Sequence, residues 1–153
     1  MDLRRLRAGE YVVALGGAVL LVSLFLGWYE GATGWEAFTV TDVLLGLFAL
    51  AALALLPITA SQRVPAIPLA LDALIAIAGK LAALLILIRI VFPPGEAEGI
   101  QGGAWLGFLG AALIIAGGWI AMRDERLSGK DRVTDLTGRP AAESPVIESM
   151  PAP

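Results

Sequence analysis

The sequence predicts an all-α fold, a four-helix transmembrane bundle followed by a disordered C-terminal tail, from three observations. First, 58% of the 153 residues are hydrophobic, whereas roughly half is usual in a soluble domain. Second, four apolar stretches are each close to the ~20 residues that cross a bilayer. Third, the basic residues that flank these stretches all lie on one side of the predicted membrane. A soluble bundle of such helices would leave no polar face for water, so we expect the helices to lie in lipid.

The first predicted helix covers about residues 11–28, which carry no charge and follow a basic segment, residues 1–10. A secretory signal peptide also begins with basic residues, but its apolar core is usually shorter and small residues mark its cleavage site. Here the sequence Gly27-Trp28-Tyr29-Glu30 follows the apolar stretch. We therefore expect a retained helix, with the basic segment in the cytoplasm.

The second helix is predicted at about residues 43–59. Thr41 or Thr39 can cap its N-terminus, and Asp42 lies in the first turn, where the helix dipole favours an anion. Pro57 falls near the predicted end and helps to stop the helix, because proline has no N–H for the helical hydrogen bond.

The third helix, at about residues 67–92, begins near Pro65 and Pro68 and is stopped by Pro93-Pro94-Gly95. It contains three charged residues: Asp72, Lys80 and Arg89. Between Leu69 and Phe92 it also contains 14 Leu, Ile, Val or Phe residues. At about −0.3 to −0.6 kcal/mol each near the helix centre, these can outweigh about +2.5 to +3.5 kcal/mol for a central lysine. We therefore expect this helix to insert in spite of its charges.

The fourth helix is predicted at about residues 103–122, so that residues 11–122 form one transmembrane domain. A charged segment follows, and from about residue 138 the chain becomes rich in Pro, Ala, Ser and Glu. Such a composition has too few apolar side chains to build a core. Residues 123–153 are therefore expected to be a disordered cytoplasmic tail.

The basic residues outside the predicted helices indicate the orientation of the bundle. The first outer loop, about residues 29–41, and the second, about residues 93–102, contain no Lys or Arg. The opposite side carries nine: Arg4, Arg5, Arg7, Arg63, Arg123, Arg126, Lys130, Arg132 and Arg139. Because cytoplasmic loops carry the excess of Lys and Arg, this asymmetry predicts an even number of crossings with both termini in the cytoplasm.

The composition also argues against several classes of function. The chain contains no Cys, His or Asn, which removes disulfides, thiolate nucleophiles, the commonest metal ligands and general bases, and N-glycosylation. The carboxylates Glu36, Asp42 and Glu96 alone do not make a convincing acid–base site. With a net charge of −3, nothing indicates nucleic-acid binding. We expect no enzymatic activity, no cofactor and no metal.

Lys80 and Asp72 form a candidate intramembrane polar site. Lys80 lies near the middle of the third helix, where an ammonium needs protein, water or another polar group around it. Asp72 is about 12 Å lower on the same helix and about 80° round, so it is a poor direct partner. Water, an oligomer interface or loss of the proton could serve Lys80, and a partly snorkelled lysine on a tilted helix is the simpler explanation.

Asp42 and Arg89 form a candidate ion pair on the outer side, since they lie at the outer ends of two helices joined by a short turn. Glu36, Glu96 and Glu98 are rival partners for Arg89. Asp72, near the inner face, would meet Arg63, other inner basic residues or water.

Aromatic and small residues complete the candidate positions. Five aromatic residues near the outer ends are typical of a membrane interface: Trp28, Tyr29, Trp35, Phe38 and Trp105. The segment Gly34–Phe38 could lie flat on the membrane before the second helix. Gly103, Gly107 and Ala111 share one face of the fourth helix, and Gly9, Gly16 and Ser23 recur every seven residues in the first. Such spacing lets helices approach closely, either within one bundle, which we expect, or between subunits.

Four segments together resemble a group of small four-helix membrane proteins of actinobacteria: Phe25-Leu26-Gly27-Trp28-Tyr29, Gly34-Trp35-Glu36-Ala37-Phe38 with Asp42, Arg89-Ile90-Val91-Phe92-Pro93-Pro94-Gly95 and Gly103-Ala104-Trp105-Leu106-Gly107. The resemblance covers about Tyr11 to Glu125, although members often have Pro where this chain has Gly27. It implies the same topology, and it implies that Trp35, Asp42 and Arg89 belong to a shared outer-side feature. The group has no assigned activity.

These observations predict an integral protein of a bacterial plasma membrane. The bacterial origin is a compositional interpretation, since Arg outnumbers Lys nine to two beside abundant Ala, Gly and Leu. A non-enzymatic scaffold or accessory protein that acts through lipids, other membrane proteins or itself fits the missing catalytic residue types and the short loops. The alternative is a small oligomeric transporter or channel subunit that uses Lys80, although the embedded carboxylate of four-helix multidrug exporters has no counterpart in the first helix.

Overall fold

The computed structural model describes residues 6, 8–38, 40–61, 66–95 and 99–127, with the main chain alone at residues 66–70 and 124–127. The described residues form five helices and two short strands: α1 (Ala8–Ser23), β1 (Gly27–Tyr29), β2 (Ala32–Thr33), α2 (Gly34–Ala37), α3 (Thr41–Ser61), α4 (Ala66–Val91) and α5 (Gly102–Leu127). Three helices, α3, α4 and α5, are long and apolar enough to cross a membrane, and α1 is a shorter apolar helix. This mostly helical structure is consistent with the predicted all-α bundle.

The helix ends differ from the prediction at three places. The first helix ends at Ser23, well before Trp28, because Ser23 Oγ donates to the Leu20 carbonyl and the Trp28 indole donates to the Ser23 carbonyl, each at 2.7 Å. Both bonds satisfy carbonyl oxygens of the last turn and let the chain leave the helix. At the other end of the chain, α5 continues to Leu127, so helix replaces the first residues of the predicted tail. Residues 128–153 lie outside the described residues.

Pro57 lies inside α3, which continues to Ser61, so the prediction that it helps to stop this helix is wrong. Proline removes one N–H donor, and helices within membranes tolerate that loss where neighbouring groups satisfy the freed carbonyl. Of the proposed caps, Thr41 is the first residue of α3, while Thr39 lies outside the described residues.

The α1–α5 pair is the centre of the bundle, with α3 packed on α1 and α4 packed mainly on α5. The helix core consists of fully buried aliphatic side chains: Val13, Leu20, Leu24, Leu45, Leu55, Ile86 and Ile114. Large apolar side chains also cover the outside of every long helix, at 36% to 61% exposure. An apolar core with an equally apolar exterior is the arrangement expected for a protein surrounded by hydrocarbon.

The first outer loop folds into a small hairpin that the sequence analysis did not predict. Strands β1 and β2 pair antiparallel through a turn at Gly31, whose φ of 81° favours glycine. The second outer loop joins them, because Tyr29 bridges Ile100 and the Gln101 amide donates to the Trp28 carbonyl at 2.8 Å. The two outer loops are thus held together by main-chain hydrogen bonds.

Helix α2 follows the hairpin and occupies part of the segment expected to lie flat on the membrane. Its N-terminus is a capping box, in which Glu36 Oε2 accepts from the Thr33 amide and from the Thr33 hydroxyl, each at 2.9 Å. The hydrogen bond from the Thr33 amide, and to a smaller extent that from the Thr33 hydroxyl, lowers the pKa of the Glu36 carboxyl.

Candidate functional site

Arg89 is the centre of the polar contacts on the outer side. Its guanidinium donates to Thr41 Oγ1, at 2.9 Å from Nη2 and 3.3 Å from Nε, and lies 5.1 Å from the centre of the Phe38 ring. Its main-chain carbonyl accepts the Tyr29 hydroxyl at 2.7 Å. We call Trp28, Tyr29, Phe38, Thr41 and Arg89 the outer cluster. It fastens the end of α4 to the start of α3 and to β1.

The outer cluster does not contain the predicted ion pair between Asp42 and Arg89. Among the described residues no salt bridge joins the two, and Asp42 Oδ1 instead accepts from the Val43 amide at 2.8 Å. The side chains of consecutive helical residues point about 100° apart. Thr41 therefore faces Arg89, whereas the Asp42 side chain points in a different direction and is buried. Glu36 faces Thr33, whereas Glu96 and Glu98 lie outside the described residues.

Burial changes the ionisation of the outer cluster. It raises the pKa of the Tyr29 phenol above the ordinary value of 10.0, and the positive charge of Arg89 opposes this effect in part. The phenol therefore keeps its proton at neutral pH and can donate to the Arg89 carbonyl. Such a cluster of hydrogen-bonded groups and aromatic rings holds chain segments together.

Three of the predicted interfacial aromatics are buried: Trp28, Tyr29 and Phe38. Trp28 and Tyr29 each form a T-shaped contact with Phe38, with ring centroids 5.2 Å and 6.0 Å apart, a geometry that aromatic pairs favour. The hairpin turns these three rings into the protein, so they do not face lipid, and their depth at the membrane interface stays a prediction. Trp105, by contrast, is 58% exposed, as an interfacial residue would be.

Trp35 lies partly buried over Gly46 of α3, and its ring centroid is 5.8 Å from that of Phe25. Its indole N–H has no hydrogen-bond partner among the described residues. The resemblance groups Trp35 with Asp42 and Arg89, but no hydrogen bond or ring contact joins these three residues to one another within the described part of the chain.

The small residues of α5 serve two different contacts. Gly103 and Gly107 receive the indole of Trp28: a Cβ added at Gly103 would lie 2.8 Å from Trp28 Cδ1, and one at Gly107 would lie 2.9 Å from Trp28 Cζ2. Beyond that slot, Gly110 approaches the main chain of α1, since its added Cβ would lie 2.6 Å from the Leu20 amide nitrogen. Ala111 is fully buried.

The small residues of α1 complete the same interface. Gly16 faces the main chain of Gly110, Gly9 faces Ala121, and Ser23 faces Gly107. The repeat of seven residues in the first helix therefore lies against the glycines of α5, inside the bundle. Gly117, which also contacts α1, has the same role.

Three polar residues are buried at the inner end of the bundle: Glu10, Thr59 and Asp72. They belong to α1, α3 and α4. The antiparallel contacts of Gly17 with Ala52 and of Gly118 with Ala76 bring these helix ends to one level. Glu10 falls within the segment 1–10 that was expected to precede the first helix, and its burial was not predicted because α1 begins earlier, at Ala8. Arg63, the proposed partner of Asp72, lies outside the described residues.

Lys80 lies on the exposed side of α4, away from the packed face that carries Ala76, Gly79 and Ala82. The structure does not bring Lys80 and Asp72 together, because Asp72 is 1% exposed and faces the bundle. No hydrogen bond or ion pair of the Lys80 ammonium occurs within the described part of the chain. Exposed Ile77 and Leu84, one turn away on each side, share its face.

The outside of α5 carries a groove. An open groove of about 480 Å³ along α5 has an almost entirely apolar lining: Ala112, Ile115, Ala116, Trp119 and Ile120. Within the described ranges there is no group of three or more His, Cys, Asp or Glu residues that could hold a metal ion.

Comparisons with family models, with curated proteins and with solved structures gave no match. The interpretation of this protein therefore depends on its own geometry.

Proposed function

We propose that this chain is a multi-pass protein of a bacterial plasma membrane that acts as a non-enzymatic accessory protein or scaffold through a lateral contact with another membrane protein. The observation that carries the proposal is the outward position of Lys80. The exposed face of α4, which is turned away from the bundle, is apolar around this one basic residue. A basic group at the middle of a membrane helix needs a polar neighbour, and the rest of the described chain does not supply one.

Helix lengths and charge distribution support four crossings. At about 1.5 Å per residue, the 21 residues of α3 and the 26 of each of α4 and α5 exceed the ~30 Å of hydrocarbon. The 16 residues of α1 give about 24 Å, and the apolar turn at Leu24–Leu26 extends the span. With nine basic residues on the side of both termini, we propose that both ends lie in the cytoplasm.

A transport role would need a different arrangement of subunits. Because Lys80 faces outward, a path lined by it would have to form between copies of the chain rather than through one bundle. Inside the bundle, glycine contacts bring α1 and α5 together at main-chain distance, which leaves little room for a polar path. The accessory role therefore has more support than a transporter or channel subunit.

Two measurements test the proposal. The purified chain in liposomes should pass no protons, potassium, chloride or small dyes, and the chain in native membranes should migrate in a complex that contains a second membrane protein. Flux that disappears in Lys80→Met would instead favour transport. Migration as a monomer, or as copies of this chain alone, would contradict the accessory role.

The proposed orientation has its own test. A tag after Pro153 should be reached by protease only when cells are opened; digestion on intact cells would overturn the orientation.

A further inference from the structure

The depth of Lys80 determines what can neutralise it. The apolar part of α4 that could span the membrane is Leu71–Val91. At about 1.5 Å per residue, Lys80 lies about 14 Å from Leu71 and about 16 Å from Val91, near the midplane of a ~30 Å hydrocarbon layer. The four methylene groups of lysine cover less than half of either distance. A lipid headgroup on either side is therefore out of reach.

Among the described residues no carboxylate lies at this depth. Asp72 lies about 12 Å along the same helix at the inner end, and it is buried. Asp42 lies in the first turn of α3, at the opposite end of the bundle, and is buried as well. The contact of Gly79 with Ile114 and that of Gly17 with Ala52 mark the levels of α5, α1 and α3 beside Lys80. No Asp or Glu occurs near those levels in the sequence.

A second copy of this chain does not solve the problem. Two copies inserted in the same direction would place one Lys80 at the depth of the other, and the pair would repel each other. The second copy would also bring no exposed carboxylate to the midplane, since Glu10, Asp42 and Asp72 are all buried. Charge complementarity thus favours an acidic group from a different protein.

We propose that the exposed face of α4 around Lys80 is a docking surface for a transmembrane helix that carries an Asp or Glu near its middle. The proposal rests on the accessory role and names the chemistry of its partner. The carboxylate would meet the Lys80 ammonium, while Ile77 and Leu84 would pack on the apolar residues one turn to either side. In hydrocarbon neither charge has water as an alternative partner, which favours pairing.

A peptide probe tests the docking surface directly. Because the chain has no Cys, Leu84→Cys introduces a single thiol on this face, and Leu50→Cys introduces a matched thiol on the exposed face of α3; the native side chains are 53% exposed at both positions. Each variant is reconstituted in vesicles of uncharged lipid with a polyleucine transmembrane peptide. That peptide has one central Asp and one Cys a turn away, and disulfide formation is measured.

The expected result is that Leu84→Cys crosslinks the Asp peptide about tenfold more than a peptide with Leu at that place, while Leu50→Cys makes no such distinction. Lys80→Met in the same background should remove the preference, and Lys80→Arg should keep it. Lys80→Glu should transfer the preference to a peptide with a central Lys. Circular dichroism checks that each variant is folded.

Three results would overturn the proposal: equal crosslinking of the Asp and Leu peptides, a predominant Leu84→Cys homodimer, or a preference that requires anionic lipid. The first of these, combined with a mixed complex in native membranes, would leave the accessory role standing and exclude only the α4 surface. In native membranes, a photoreactive residue at position 84 should capture a protein whose membrane span has a central Asp or Glu. Capture of a partner without one would count against the proposal.

Discussion

Trp28 and Gly107 offer a quantitative test of how the outer loop is fixed to the bundle. A methyl group added at Gly107 would lie 2.9 Å from Trp28 Cζ2 and from Ser23 Oγ, about 0.5 Å closer than the 3.4 Å at which ordinary contact begins. The indole is fully buried and its N–H is bonded to Ser23, so it has no free direction of movement. Overpacking of this kind costs about 1–3 kcal/mol, of which better helix propensity returns up to about 1.

The test is a double-mutant cycle between Gly107→Ala and Trp28→Phe. Phenylalanine lacks the outer part of the indole that the new methyl group would strike. In the Trp28→Phe background, Gly107→Ala should therefore cost about 1 kcal/mol less than in the native protein. Unfolding by sodium dodecyl sulfate in mixed micelles, followed by far-ultraviolet circular dichroism, measures each variant without relying on tryptophan fluorescence, which Trp28→Phe itself alters.

Gly110→Ala is the matched control. Its methyl group would lie 2.6 Å from the Leu20 nitrogen and 2.9 Å from the Gly16 oxygen, so it strikes main chain and not the indole. Its cost, also about 1–3 kcal/mol before the propensity gain, should be the same with Trp or Phe at position 28. Additive costs for Gly107→Ala and Trp28→Phe, or an equal coupling at Gly110, would show that the ring does not occupy the glycine slot.

The contacts of Arg89 and Tyr29 lead to two further predictions. Arg89→Gln and Thr41→Val should each destabilise the bundle by about 1–3 kcal/mol, more than Asp42→Asn, and exchanging the charges of Asp42 and Arg89 should give no recovery in the same unfolding assay; recovery would reinstate the ion pair. Because burial raises the pKa of Tyr29, its contribution is complete below pH 10.0 and is lost as the pH rises through the folded value. Tyr29→Phe should remove this loss of stability at alkaline pH. Tyr11→Phe is the control and should keep the loss; if it removed the loss as well, ionisation of Tyr29 would not be the cause.

The sequence predicted the long helices well because one strong term determines them. A run of apolar residues that can span hydrocarbon must satisfy its main-chain groups internally, and a helix does this. The end of α1 was harder to predict, because it depends on the Ser23 hydroxyl and on an indole five residues later. Strands of two or three residues, such as β1 and β2, contain no usable hydrophobic alternation.

The candidate site was predicted less well, since side-chain direction decides it. Charge alone predicts that Arg89 pairs with Asp42. Because adjacent helical residues point in different directions, Arg89 instead donates a hydrogen bond to Thr41. The outward position of Lys80 had a usable signal in the sequence. The small residues Ala76 and Gly79 mark the packed face of α4, and Lys80 is turned about 100° from Gly79.

Removal of the Lys80 charge should change the stability of the isolated chain and its association with a partner in opposite directions. This distinguishes a docking role of the lysine from a structural one. The polar contacts of the described chain lie at its ends, with Glu10 and Asp72 at the inner end and Arg89 at the outer end. Lys80 alone lies near the centre and faces outward, where a lysine costs about 2.5 to 3.5 kcal/mol on insertion scales. The 14 Leu, Ile, Val or Phe residues between Leu69 and Phe92 already make its insertion favourable.

Lys80→Met should therefore raise the stability of the isolated chain in a bilayer, because it replaces a charge on the lipid face by an apolar side chain of similar length. It should at the same time weaken the mixed complex in native membranes. A structural lysine would behave differently, since its removal would lower the stability of the isolated chain. Measurement of unfolding in vesicles beside the recovery of the complex from native membranes distinguishes the two, and a loss of stability without loss of the complex would refute the docking role.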